Sequence, residues 1–249
     1  SGWDGTPCPT RTVDLLAPGF LSEARAWYRA VMAGAAPRSR AAGGNLVGIQ
    51  LDNEIGMLSW VSNSPDLTDG MLRDFAGFLQ ARYGPAELAR RHPALADGEA
   101  AFRRSILSPE DARAVPSWHD LAAFHRERYA RYVATLRSWA LEDGLAGVPF
   151  LVNVHGTGGG RATSFPIGIS QLQAAYSQSP DLMAGSDLYL GNLDRNTFQD
   201  LYLANALLLA SVPDGAPIGS VEFEAGSGDY GQTLGGYDDG ATDRKLRMC

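Results

Sequence analysis

Hydrophobic and polar positions change period several times along the chain. Leu21, Ala24, Trp27, Tyr28 and Val31 recur at helical spacing and predict a helix over 20–33. LVGIQL at 46–51 is a short apolar run between Gly-Gly-Asn and Asp-Asn-Glu, and reads as a buried strand. Met71, Leu72, Phe75, Phe78, Leu79 and Tyr83 again keep helical spacing, with Pro65–Asp69 as the start and Gly84-Pro85 as the stop. Shorter helical pieces over 85–116 are broken by Pro93, Pro109 and Pro116. Ser117 caps a long predicted helix that runs to about 142 and stops at Gly144. VPFLVNV at 148–154 is a second strand, 182–190 a third and 218–223 a fourth. Helices are predicted over 169–176 and 197–212. Alternating helices and strands imply a parallel sheet with helical crossovers.

Composition changes this picture little. The 249 residues are 45% hydrophobic and 20% charged, an ordinary globular balance. The net charge of −7 comes without any basic block, so no nucleic-acid footprint is expected. No apolar run reaches a membrane-spanning length, and no membrane partner is expected. Cys8 and Cys249 lie far apart, with no Cys/His cluster, so no metal and no cofactor is expected. No signal peptide is visible. The chain opens on Ser1, so its natural start is expected to lie elsewhere. The expected setting is soluble, cytoplasmic or secreted.

Candidate chemistry gathers at two strand ends. GGNLVGIQLDNEIG (43–56) and APIGSVEFEAG (216–226) each run from a buried-type strand into carboxylates. Carboxylates are costly inside an apolar core, but at the carboxyl ends of parallel strands they line solvent-reached pockets. Strand alternation puts Gln50, Asp52 and Glu54 on one face, and Ser220, Glu222 and Glu224 on another. Two carboxyl groups flanking one glycosidic bond are what glycoside cleavage needs.

The first segment resembles the strand-four region of glycoside hydrolase family 35 β-galactosidases, typically GGPII-x-x-Q-x-ENEYG. EFEAG is similar to the EFW-x-G segment around that family's nucleophile. The helix over 72–84 is similar to one in the related family 42. The resemblance implies a (β/α)8 TIM-barrel glycosidase domain, present here as about strands four to seven. Residues 1–249 would form part of that catalytic domain, with a helical insertion at 85–116. It further implies Glu54 as acid/base, Glu222 as nucleophile and Asn53 as a sugar-hydroxyl ligand. The implied activity is retaining cleavage of terminal β-galactosides, with the chain by itself inactive. Ile55, Asp52 and Glu224 depart from the family pattern, and Glu224 stands beside Glu222 as an alternative nucleophile or as a substrate ligand. Further substrate-binding candidates are Asn153, Tyr189 and Trp3. The carbohydrate substrate is the expected partner. The competing readings are a carbohydrate-binding pseudoenzyme, an inactive fragment, or a clan relative acting on another β-glycoside.

The plainer readings stand beside these. Asn153 can be turn chemistry, Tyr189 core, and His155 a structural histidine. GTGGG (156–160) lacks a phosphate loop's Lys-Ser/Thr and reads as loop. Trp27, Trp118 and Trp139 are expected in the core. The Arg-rich stretch 126–137 is expected to be a solvated helix face.

Overall fold

In the computed structural model, the residues described are 13–55, 68–106, 115–154, 175–179, 181–189, 206 and 208–224. The elements are α1 (Pro18–Ala35), β1 (Ile49–Gln50), α2 (Asp69–Arg82), α3 (Pro85–Arg91), α4 (Glu99–Ile106), α5 (Val115–Glu142), β2 (Phe150–Val154), β3 (Leu182–Tyr189) and β4 (Ile218–Glu224). Residues 175–178 and 208–211 are helical as well.

The strands form one parallel sheet in chain order, β1-β2-β3-β4. Phe150, Val152, Leu182 and Ala184 are buried on one face of it. They meet Tyr28 and Met32 of α1 and Tyr129, Val133, Leu136 and Ala140 of α5 in a single apolar core. Register places Asn153 beside Gly185, two residues before Asp187, so the other face carries polar groups toward the strand ends.

The expected (β/α)8 barrel is corrected. Among the described residues β1 pairs only with β2 and β4 only with β3, which leaves an open sheet. Barrel closure would give every strand two neighbours. With only Ile49 and Gln50 in regular pairing, β1 is short for an interior barrel strand. The apolar run 46–51 is longer than β1 because its first half serves a turn instead. Gly44 there sits against the chain: a Cβ would fall 2.2 Å from the Arg38 carbonyl oxygen. Leu46 N–H then donates to the same carbonyl at 2.8 Å.

A second apolar cluster joins Met71, Leu72, Phe75 and Leu79 of α2, Phe102 and Ile106 of α4, and Leu121 and Phe124 of α5. Thr68 caps α2 by accepting from Met71 N–H at 3.1 Å, and Pro85 opens α3 at its first turn. The long α5 therefore packs against this cluster with its first half and against the sheet with its second.

Two side-chain expectations also change. The buried face of α1 runs through Tyr28 and Met32, while Trp27 is 62% exposed and Val31 41%. The Arg-rich part of α5 is only partly solvated. Arg128 is buried, paired with Asp14 and, at 3.4 Å, with Asp74.

Candidate active site

Four segments converge at the carboxyl ends of β1, β2 and β3 and on α5. The chain leaves β1 and turns sharply at Glu54, whose φ of 46° lies in the left-handed region that side chains disfavour. Strand alternation lasts through Leu51, which still donates to the Leu151 carbonyl, but Asp52 does not return to the face of Gln50. Leu51 and Ile55 anchor the turn in the core, and Tyr28 on α1 donates to the Leu51 carbonyl.

Asn153 is the hub, fully buried. Its Oδ1 accepts the Glu54 N–H at 2.9 Å and the Gln50 amide at 2.8 Å. Its Nδ2 donates to Asn53 Oδ1 at 3.2 Å and to both Asp187 carboxylate oxygens at 3.0 Å. Gln50 also donates to Asn53 Oδ1 at 2.9 Å, and Asn53 Nδ2 to Glu54 Oε2 at 3.3 Å. Asp187 is 3% exposed, whereas Asn53 is exposed and Glu54 half-buried, so the network opens to solvent at Asn53 and Glu54.

Asp52 faces the other way. Tyr132 of α5 donates to its Oδ2 at 2.8 Å, and Asn53 N–H to its Oδ1 at 2.8 Å. Burial pushes the Asp52 carboxyl above the usual carboxylate range, with these two hydrogen bonds opposing. Burial and the neighbouring Asp52 charge raise the Tyr132 hydroxyl in turn.

β4 enters through its register. Ser186 pairs with Ser220 but Asp187 with Glu222, so Val221 is an extra residue on β4 and the two strands shift against one another there. The bulge places position 222 beside Asp187, and position 224 beside Tyr189. The side chains of Tyr189, Glu222 and Glu224 lie outside the described residues, as do Trp3, His155 and the GTGGG stretch. Of the expected site residues, the structure thus brings Asn53, Glu54 and Asn153 into direct contact. Asp187 was not among those expected. Its signal in the sequence is one acid inside the otherwise apolar or small-residue run LMAGSDLY.

One Ser-His-Asp series lies elsewhere. His92 Nδ1 is 3.0 Å from Ser117 Oγ, and Nε2 is 2.8 Å from Asp120 Oδ2. Ser117, His92 and Asp120 are 3%, 2% and 3% exposed, so this series is sealed inside the helical cluster and serves packing. Among the described residues no group of three or more His, Cys, Asp and Glu could hold a metal ion. No helix among them is long and apolar enough to cross a membrane.

No protein-family profile matches the chain. The chain is 26% identical over 224 residues to a β-1,2-glucosyltransferase of Ignavibacterium album. The match covers 88% of this chain but 30% of the relative, so the chain spans less than a third of that protein's length. This relative overturns the reading as a glycoside hydrolase of family 35 or 42, and with it the β-galactosidase activity. By its name it transfers glucose. Paired carboxylates cannot separate the two outcomes, because both need a proton acceptor beside the anomeric carbon and differ only in whether water or a sugar hydroxyl arrives. The carbohydrate part of the expectation agrees with what that relative acts on.

Proposed function

We propose that this chain carries the centre of a glucosyl-transfer site that joins glucose to a sugar hydroxyl through a β-1,2 bond. The similarity to the β-1,2-glucosyltransferase carries the reading. The charged members of the hydrogen-bond network among the described residues are Asp52, Glu54 and Asp187, all carboxylates. A saccharide donor, being uncharged, asks for no cation from such a network. The donor is therefore read as a β-linked glucose saccharide.

Transfer from a β-linked donor to a β-linked product retains configuration and takes two displacements. Glu222 attacks the anomeric carbon while Glu54 gives its proton to the departing glycosidic oxygen. Glu54 then takes the proton of the acceptor hydroxyl, whose oxygen displaces Glu222. Asn53 holds a sugar hydroxyl next to the anomeric carbon. Glu224, Tyr189 and Trp3 complete the sugar contacts, while Asn153, expected among them, is fully buried and holds the Glu54 turn instead.

The test incubates the full chain with a β-1,2-linked gluco-oligosaccharide and a glucoside acceptor, and follows the products by mass spectrometry and by linkage analysis. Elongated acceptor with a new β-1,2 bond is expected. Glu54→Gln and Glu222→Gln should each lower its rate by about 10²–10⁴-fold. Glucose release without elongation, or elongation from a nucleotide sugar alone, would sink the reading. Full activity in Glu222→Gln with loss in Glu224→Gln would move the nucleophile to Glu224.

A further inference from the structure

We propose that Asp187 is a positioning residue that fixes which way the Asn153 amide faces, and through Asn153 holds the Glu54 turn. An asparagine amide has a donor end and an acceptor end, and a half-turn exchanges them. Asn153 is fully buried, so water cannot make good a wrong choice. On one side both Asp187 oxygens accept from its Nδ2 at 3.0 Å. On the other side stand two donors, the Glu54 N–H at 2.9 Å and the Gln50 amide at 2.8 Å.

A flipped amide would set its oxygen against a carboxylate and its NH₂ group against two donors. The two neighbours thus fix the orientation from opposite sides, whichever way the amide atoms are first assigned. Glu54 needs that acceptor because its backbone holds a φ of 46°, which side-chain-bearing residues rarely adopt. Asp187 also pairs in register with Glu222. One buried carboxylate is therefore tied to the Glu54 turn through Asn153 and paired in strand register with position 222. Its effect on transfer rests on the function proposed above; its effect on the Glu54 turn does not.

The test compares the full wild-type chain with Asp187→Asn and with the exchange Asn153→Asp/Asp187→Asn. In the single variant both facing groups become amides, and the acceptor for Glu54 is no longer fixed. The exchange restores it. The carboxylate at 153 accepts from Glu54 N–H, from Gln50 and from the amide at 187, with net charge unchanged. Asn53 Oδ1 keeps its Gln50 donor at 2.9 Å. Hydrogen exchange of the Glu54 backbone amide, read by NMR, reports the turn without reference to activity.

In Asp187→Asn that amide should exchange about tenfold faster, the scale of one lost hydrogen bond. The transfer kcat should fall by about tenfold or more, with KM held within about twofold. The exchange variant should recover both the protection and most of kcat. The idea is overturned if Asp187→Asn is folded by circular dichroism with unchanged Glu54 exchange. It is also overturned if the exchange variant unfolds, or folds without restored protection. If the wild-type chain transfers no glucose at all, the proposed function fails, while the Glu54 amide still decides the role of Asp187.

Discussion

Gly185 of β3 lies directly against Val221, the residue that β4 holds in excess. A Cβ at 185 would stand 2.2 Å from Val221 Cγ2 and 3.0 Å from the Val152 carbonyl oxygen. The missing side chain is what lets the bulge close over β3, and the bulge is what sets Glu222 opposite Asp187. Gly185→Ala must therefore push Val221 away or move β3 off β2. The backbone oxygen cannot yield as a flexible side chain would. We expect a loss of about 1–3 kcal/mol of stability, the range for overpacking a closed site. Urea denaturation measures it. Gly185→Ala combined with Val221→Ala should recover part of the loss, and no recovery would mean that Val221 is not the obstacle.

Tyr132 and Asp52 form the next test. The folded state holds the Asp52 carboxyl above its ordinary value of 3.8, with burial as the main cause. A group raised on folding contributes stability that is complete below its unfolded pKa and is lost as pH rises through the folded one. Asp52 thus costs the fold stability at neutral pH. Asp52→Asn should gain on the wild type as pH rises above 3.8, with the difference levelling off once Asp52 is ionised. Tyr132→Phe removes the hydrogen bond that opposes the shift, so it should lose about 1 kcal/mol at neutral pH and carry the levelling-off to higher pH. Denaturation midpoints of the three proteins across pH 3–8 decide it, and a difference that stays flat with pH would refute the assignment to Asp52.

How far the sequence could be read follows from these residues. The four strands and long helices lie where apolar periodicity puts them, because burial on a sheet face or helix stripe is a local property of the sequence. Sheet closure is not, since nothing in LVGIQL says how many neighbours β1 has. Glu54, Asn53 and Asn153 were legible because polar groups ending apolar strands are unusual. Asp187 was passed over because its role comes from a register between β2 and β3, and Tyr132 because a tyrosine on a helix stripe looks like any core aromatic. The alternation argument for Gln50, Asp52 and Glu54 holds only as far as the pairing with β2: Gln50 reaches Asn153, but past Leu51 the chain leaves the strand and Asp52 reaches Tyr132 on α5. The hydrolase reading falls for a different reason: carboxylates at strand ends do not say whether water or another group would accept a sugar.

Arg128 is a case where periodicity and burial disagree. Its guanidinium is 6% exposed and pairs with Asp14, itself 14% exposed. Replacing one partner of a buried pair leaves the other charge without compensation. Arg128→Met should therefore cost about 3 kcal/mol, near the lower end for such pairs. Asp14→Asn/Arg128→Met should cost clearly less than Arg128→Met does. Equal losses in the single and double variants, measured by thermal and urea unfolding, would show that the side chain's packing matters and the pair does not.

The sealed Ser117-His92-Asp120 series gives the helical cluster its own pH response. Burial lowers the His92 pKa from 6.5, and it outweighs the raising effect of Asp120. Burial would raise Asp120, but hydrogen bonds from Tyr83, His92 and Arg91 together hold it below 3.8. Both groups are depressed on folding, so both contribute stability that is complete above their unfolded pKa values and is lost as pH falls toward the folded ones. The loss begins below about pH 6.5 with His92 and continues below 3.8 with Asp120. His92→Gln keeps a polar group in the site but cannot titrate. It should be less stable than the wild type at pH 7.5, by about 1–3 kcal/mol for a buried hydrogen bond poorly replaced. Between pH 6.5 and 5 its stability should fall less steeply than that of the wild type. Urea unfolding at several pH values, followed by circular dichroism, gives both slopes. Parallel slopes in the two proteins would show that another group carries the acid response, and that His92 binds its proton alike in the folded and unfolded chain.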